Sequence, residues 1–215
     1  DGHISALGYI INTINYGIME VSMEVVYKVI SDNEEQLELE ATLYKNNSID
    51  SKGIILYFHG GGLVMGSRKD LPRYHIERLT SSGYPILSFD YRLAPEANFD
   101  QILSDVLDGI EYFINNKEKL GFKDLPYFLW GRSAGAYLAL LAFSKGLSLK
   151  PQGIISFYGY GFTVDSWYNK PSQFYLKYPK LDEKNIIFSV ENTYISSAII
   201  QKRFPLYLYS RQSGK

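Results

Sequence analysis

The sequence predicts an α/β domain with a mostly parallel sheet and helices on both faces, and three observations carry this expectation. Four continuous apolar runs, residues 53–58, 84–89, 127–130 and 153–158, have the composition of strands buried on both sides. Helical stretches separate them, the alternation that builds parallel sheets through crossover connections. Glycine-rich turns follow the first and third runs directly. The 215 residues are enough for one domain with its own core, so 1–215 is expected to form a single α/β unit.

Taken in order, residues 1–23 show no clean period and are expected to form an arm. Residues 25–30 then read as a strand, and 37–44 alternate apolar and polar side chains, the period of a half-exposed strand. The acidic turn Ser31-Asp32-Asn33-Glu34-Glu35 between them makes an antiparallel hairpin at a sheet edge. A polar loop leads into the run 53–58. A helix is expected over about 69–82, then the run 84–89, then a long helix over about 99–120 with Ile102, Val106, Ile110 and Phe113 on one face. After 127–130, an apolar helix from Ala134 to Lys145 stops at Gly146. Leu206-Tyr207-Leu208-Tyr209 is expected to be a fifth strand of the series. Between about 159 and 203 the alternation fails. That aromatic, Lys-rich stretch reads as an excursion over one end of the sheet, where its rings either line a pocket or pack onto the core.

Composition removes several function classes. At 46% hydrophobic and 21% charged, the chain is neither disordered nor fibrous. With no cysteine, thiol nucleophiles, disulfides and iron–sulfur or zinc–thiolate sites are excluded. The three histidines, His3, His59 and His75, leave no metal-ligand spacing, and no cofactor is expected. A net charge of −1 gives no overall field for nucleic acid. The charge is nevertheless unevenly placed. Residues 1–50 hold 2 basic and 9 acidic side chains, residues 131–215 hold 11 basic and 4 acidic. This reads either as solvated faces or as a basic surface for an acidic partner. No run approaches a membrane span and no signal peptide is visible, so a cytoplasmic location is expected. A homo-oligomer is left open.

Two motifs carry chemistry. Gly131-Arg132-Ser133-Ala134-Gly135 matches G-x-S-x-G directly after an apolar strand and at the start of a helix, the setting of a nucleophile elbow. A nucleophile on such a sharp turn needs flanking glycines, and the helix N-terminus below it favours negative charge. The same pattern could be a plain strand-to-helix turn with a serine cap. His59-Gly60-Gly61-Gly62 follows another apolar strand. Such a loop lets backbone N–H groups approach an oxyanion. The Lys-Ser/Thr of a phosphate loop is missing. His59, at a strand end beside these donors, is expected to order the loop.

Together with Asp90-Tyr91-Arg92-Leu93-Ala94-Pro95-Glu96, these motifs resemble the α/β-hydrolase superfamily, and within it the hormone-sensitive-lipase-like bacterial esterases. The resemblance covers residues 54–158 and implies Ser133 as nucleophile, with the N–H groups of Gly61, Gly62 and Ala134 as oxyanion hole. It also implies structural roles near the site for His59, Asp90, Arg92 and Glu96, Arg92 and Glu96 tying a loop by charge-assisted hydrogen bonds. Arg132 departs from the pattern, since an acidic residue is usual there. A cation beside the nucleophile would alter substrate preference.

The resemblance also implies an acid and then a histidine after Ser133. Neither is present in this chain. No histidine follows His75, and Asp165, Asp182, Glu183 and Glu191 all precede the expected strand at 204–210. The fold is therefore expected to lack its last strand and helix here. The sequence would be a fragment, a truncated product without its base, or a chain completed by another protomer. His75 is expected to be an ordinary helical residue. The function expected is a serine hydrolase of small carboxylic esters. The alternatives are a non-catalytic binding module on the same scaffold, and a peptidase, which the glycine-rich loop disfavours.

Overall fold

The computed structural model describes residues 10–11, 20–32, 35–161, 169–186 and 189–214. The expected arm at 1–23 therefore lies largely outside the described residues. So do Trp167 and Tyr168 of the excursion.

A seven-stranded sheet in the order β1-β2-β3-β5-β4-β6-β7 organises the chain. The first three strands are β1 (Ile10–Ile11), β2 (Glu20–Asp32) and β3 (Glu35–Asn46), each antiparallel to the next. The expected hairpin forms, longer than its alternating core, because the ladder runs from Glu20 opposite Asn46 to Asp32 opposite Glu35. A register shift between Val26 and Lys28 takes Tyr27 out of the ladder. Its hydroxyl donates to the Asp90 carbonyl at 2.7 Å, joining the hairpin to the far end of the central sheet.

The remaining strands are β4 (Ile54–Phe58), β5 (Ile86–Phe89), β6 (Tyr127–Arg132) and β7 (Gly153–Phe157), all mutually parallel. Every residue of β4 and β5 is buried, as a continuous apolar run requires. Alternate side chains feed two cores. Ile54, Leu56, Phe58, Leu87, Phe89 and Leu129 pack on one face. That face is covered by α2 (Phe99–Asn116) and α3 (Ala134–Lys145). Ile55, Tyr57, Ile86 and Trp130 pack on the other with Leu71 and Ile76, below α1 (Arg73–Ser81).

Helix boundaries follow local chemistry. The first helix starts at Arg73, later than the periodicity suggests, because Pro72 holds an extended conformation (ψ 135°) and disfavours helix before it. Asn98 and Gln101 form a reciprocal capping box at the start of α2. At its other end Phe122 N–H turns back to the Lys117 carbonyl, with Gly121 at φ +81°, so the helix ends at Asn116 rather than near residue 120.

One expected element is overturned. Residues 206–209 form no strand. They lie inside helix α4 (Ile200–Ser213), which also contains Pro205. Leu-Tyr-Leu-Tyr mimics strand alternation, but among the buried residues Arg203 and Leu206 stand three apart and Leu208 and Gln212 four apart, the spacings of a helix face. The strand that the resemblance would place before a triad acid is thus not formed by these residues. Among the described residues, β7 has no neighbour beyond β6, and Ile155 and Phe157 are more than a third exposed.

Candidate active site

Ser133 sits between the end of β6 and the first turn of α3, with φ 52° and ψ −118°. A non-glycine residue held there is strained, which is the mark of a turn built to present a side chain. The flanking glycines are steric necessities. A Cβ on Gly131 would overlap the Ala136 nitrogen, and one on Gly135 would overlap the Phe58 and His59 carbonyls. Ser133 N–H donates to the Phe157 carbonyl at 2.8 Å, which ties the turn to β7. Its Oγ makes no hydrogen bond among the described residues.

The glycine loop after β4 reaches the same point. A Cβ on Gly60 would stand 3.4 Å from the Ser133 Cβ. Gly61, Gly62 and Leu63 all adopt positive φ (109°, 63° and 68°). The Gly61 carbonyl accepts from Val64 and Met65, while its own N–H and that of Gly62 find no acceptor among the described residues. Gly60, Gly61 and Ser133 line a single cleft of about 1020 Å³, whose other walls include Met65, Arg132, Tyr158, residue 195 and residues 197–203. Gly62 faces Tyr207 of α4, whose ring would lie 2.7 Å from an added Cβ. Ala134 is fully buried as the first residue of α3.

His59 is completely buried, stacked on Tyr91 with ring centroids 4.2 Å apart. Its Nδ1 lies 2.7 Å from the Gly60 carbonyl, and the Tyr91 hydroxyl donates to its carbonyl at 2.7 Å. Burial pushes its pKa below the ordinary histidine value, so the ring is held neutral. His75 is not a wall of the cleft. Its ring packs against Tyr74, Trp130 and Phe157, and its pKa is lowered by desolvation and by Arg132.

Residues 90–96 lie beneath the loop. Asp90 accepts from the Arg68 backbone N–H at 2.6 Å and pairs with the Arg68 guanidinium, which also reaches Glu24, Glu40 and Thr42. Arg92 binds Asp105 of α2 through two bonds of 2.7 and 2.8 Å and lies over the Tyr194 ring. Glu96 binds Arg203 of α4 at 2.7 and 3.0 Å and accepts from Glu191 N–H at 2.7 Å. Arg203 has no exposed surface. Arg68, Asp105 and Arg203 are thus partners the sequence did not reveal. Each is 13 to 107 residues from its mate, and no local pattern announces such a pair.

Arg132 points along the α1 side of the sheet. Its Nε donates to the Tyr57 hydroxyl at 2.6 Å and its Nη2 to the Asp70 carbonyl at 3.1 Å. Tyr57 is pushed up to about 12 by burial.

Comparison with known proteins bears on the fold. A family model described as alpha/beta hydrolase fold matches residues 55–201. A crystal structure of a Staphylococcus aureus Mu50 protein of unknown function is 32% identical with TM-score 0.74, covering 88% of this chain and 66% of its own. An alpha/beta hydrolase superfamily protein from Enterococcus faecalis is 30% identical with TM-score 0.63, covering 81% and 62%. The esterase LipW from Mycobacterium marinum, at 21% identity and TM-score 0.54, shares the fold. A non-reducing polyketide synthase, ausA of Aspergillus calidoustus, is 31% identical over 152 residues, 63% of this chain. The chain spans 6% of that synthase's length and about two thirds of the two bacterial proteins. With a matched family model over two thirds of its length, and the sheet order and strand-to-helix turn that go with it, the chain belongs to the α/β-hydrolase fold family.

Proposed function

We propose that the chain carries the nucleophile and oxyanion-binding part of a serine hydrolase acting on small carboxylic esters. One observation supports this above the others: Ser133 is strained at a strand-to-helix turn and shares a cleft with the N–H-rich loop of Gly60 and Gly61. In this reading Ser133 Oγ attacks the ester carbonyl. The oxyanion of the tetrahedral intermediate takes hydrogen bonds from the N–H groups of Gly61, Gly62 and Ala134. Collapse expels the alcohol and leaves an acyl-serine, which water then hydrolyses. His59 and Tyr91 hold the loop in position. His59 is fully buried, stacked on Tyr91 with Nδ1 on the Gly60 carbonyl, so in this reading it orders the loop and is not the base for Ser133.

In this reading the serine proton passes to a general base and on to the leaving alcohol, and none of the residues placed above is that base: the sequence has no histidine after His75. Without that base the oxyanion hole and substrate binding sustain only a residual ~10³–10⁴ over water.

The test is fluorophosphonate labelling of the protein expressed from its complete reading frame, followed by ester turnover. Labelling that disappears in Ser133→Ala is the expected result. Labelling that survives it, or none in the unaltered protein, rejects the reading in favour of a non-catalytic module. Parallel ester and peptide substrates separate an esterase from a peptidase.

A further inference from the structure

The cleft beside Ser133 holds several cations, and among the described residues all but one are neutralised. Arg68 is paired with Asp90, Glu24 and Glu40, Lys69 with Glu24, Lys202 with Glu191, and Arg203 with Glu96. Arg132 is different. It is held at the cleft wall next to the nucleophile by a tyrosine hydroxyl and a backbone carbonyl, both neutral. The carboxylate of Asp70, which lines the same cleft, accepts from the Ser67 N–H and Oγ at 2.9 and 3.2 Å and forms no ion pair with Arg132 among the described residues. A guanidinium has five N–H donors. Two are used here, and they fix the plane of the group without neutralising its charge. Among the described residues the rest have no acceptor.

A fixed, half-buried guanidinium with free donors and no counter-charge matches a bidentate carboxylate. Within the esterase reading above, on which this rests, we propose that Arg132 selects esters bearing a carboxylate a few bonds from the scissile carbonyl, such as half-esters of short dicarboxylic acids. Arg132 binds the remote carboxylate while Ser133 addresses the ester. It is a specificity residue and takes no proton.

The test separates binding from turnover. In a Ser133→Ala background, the affinities of monomethyl succinate and dimethyl succinate are compared by isothermal titration calorimetry. The monoanion is expected to bind at least tenfold more tightly, with the advantage shrinking as salt is raised. In Arg132→Gln the ratio of the two affinities falls to near one. Arg132→Lys, which keeps the charge, retains part of the advantage and guards against a folding defect in the first variant. Equal affinities, no measurable binding of either ester, or a preference that survives in Arg132→Gln overturns the proposal. A protein that labels at Ser133 but does not discriminate refutes the carboxylate selection alone. One that discriminates but never labels refutes the hydrolase reading alone.

Discussion

At the scale of single residues, steric demand makes the site legible. Gly131 and Gly135 are required because a side chain at either would collide with backbone. The same demand writes G-x-S-x-G into the sequence, so Ser133 could be found without coordinates. His59 could be placed but its environment could not, because its partner Tyr91 lies 32 residues away. That environment makes a prediction. His59 is buried and held neutral, with its pKa below the ordinary 6.5. As pH falls below ~6.5, the unfolded chain takes up a proton that the folded chain refuses, so acid favours unfolding. Stability from this group is full above ~6.5. It then falls by at most about 1.4 kcal/mol per pH unit until the folded-state pKa is reached. Urea unfolding at pH 7.5, 6.0 and 5.0 should show the slope in the unaltered protein and a shallower one in His59→Asn. Parallel slopes would show that His59 is not the group responsible.

At the scale of elements, strands and helices with one clear period were legible and α4 was not. Leu206-Tyr207-Leu208-Tyr209 has a strand's alternation, and Pro205 argues against a helix interior. Tertiary contacts decide the matter. Arg203 meets Glu96, Tyr207 covers Gly62, and Gln212 binds the Tyr175, Tyr178 and Pro179 carbonyls. All three interactions draw on parts of the chain distant from the helix. The Arg203–Glu96 pair has almost no solvent contact, and the Arg203 Nε is unsatisfied. Removing one member strands a charge, at a cost of roughly 3–5 kcal/mol. Arg203→Met should therefore lower the urea midpoint markedly, and adding Glu96→Leu should recover much of the loss. A double variant no more stable than the single one would place the defect in packing instead of charge.

At the scale of the whole molecule, the parallel α/β order was readable because buried strands and amphipathic helices alternate along the chain. The pairing of ends was not. The acidic hairpin turned out to serve the site loop: Glu24 and Glu40 both hold Arg68, whose backbone and guanidinium hold Asp90. Part of the charge asymmetry read along the sequence therefore becomes, in three dimensions, a neutralised cluster in which Glu24 and Glu40 meet Arg68. Among the described residues, no helix is long and apolar enough to cross a membrane.

The outer edge of β7 has a practical consequence for handling. Its N–H and C=O groups have no ladder partner among the described residues, and Ile155 and Phe157 stand beside them more than a third exposed. Such an edge is a template for pairing with other chains, and charge on it discourages aggregation. The 215-residue chain should precipitate on concentration, with light scattering rising steeply with protein concentration, and Ile155→Lys should delay its onset. A chain that stays clear at high concentration, with or without the lysine, would mean that the edge is already covered.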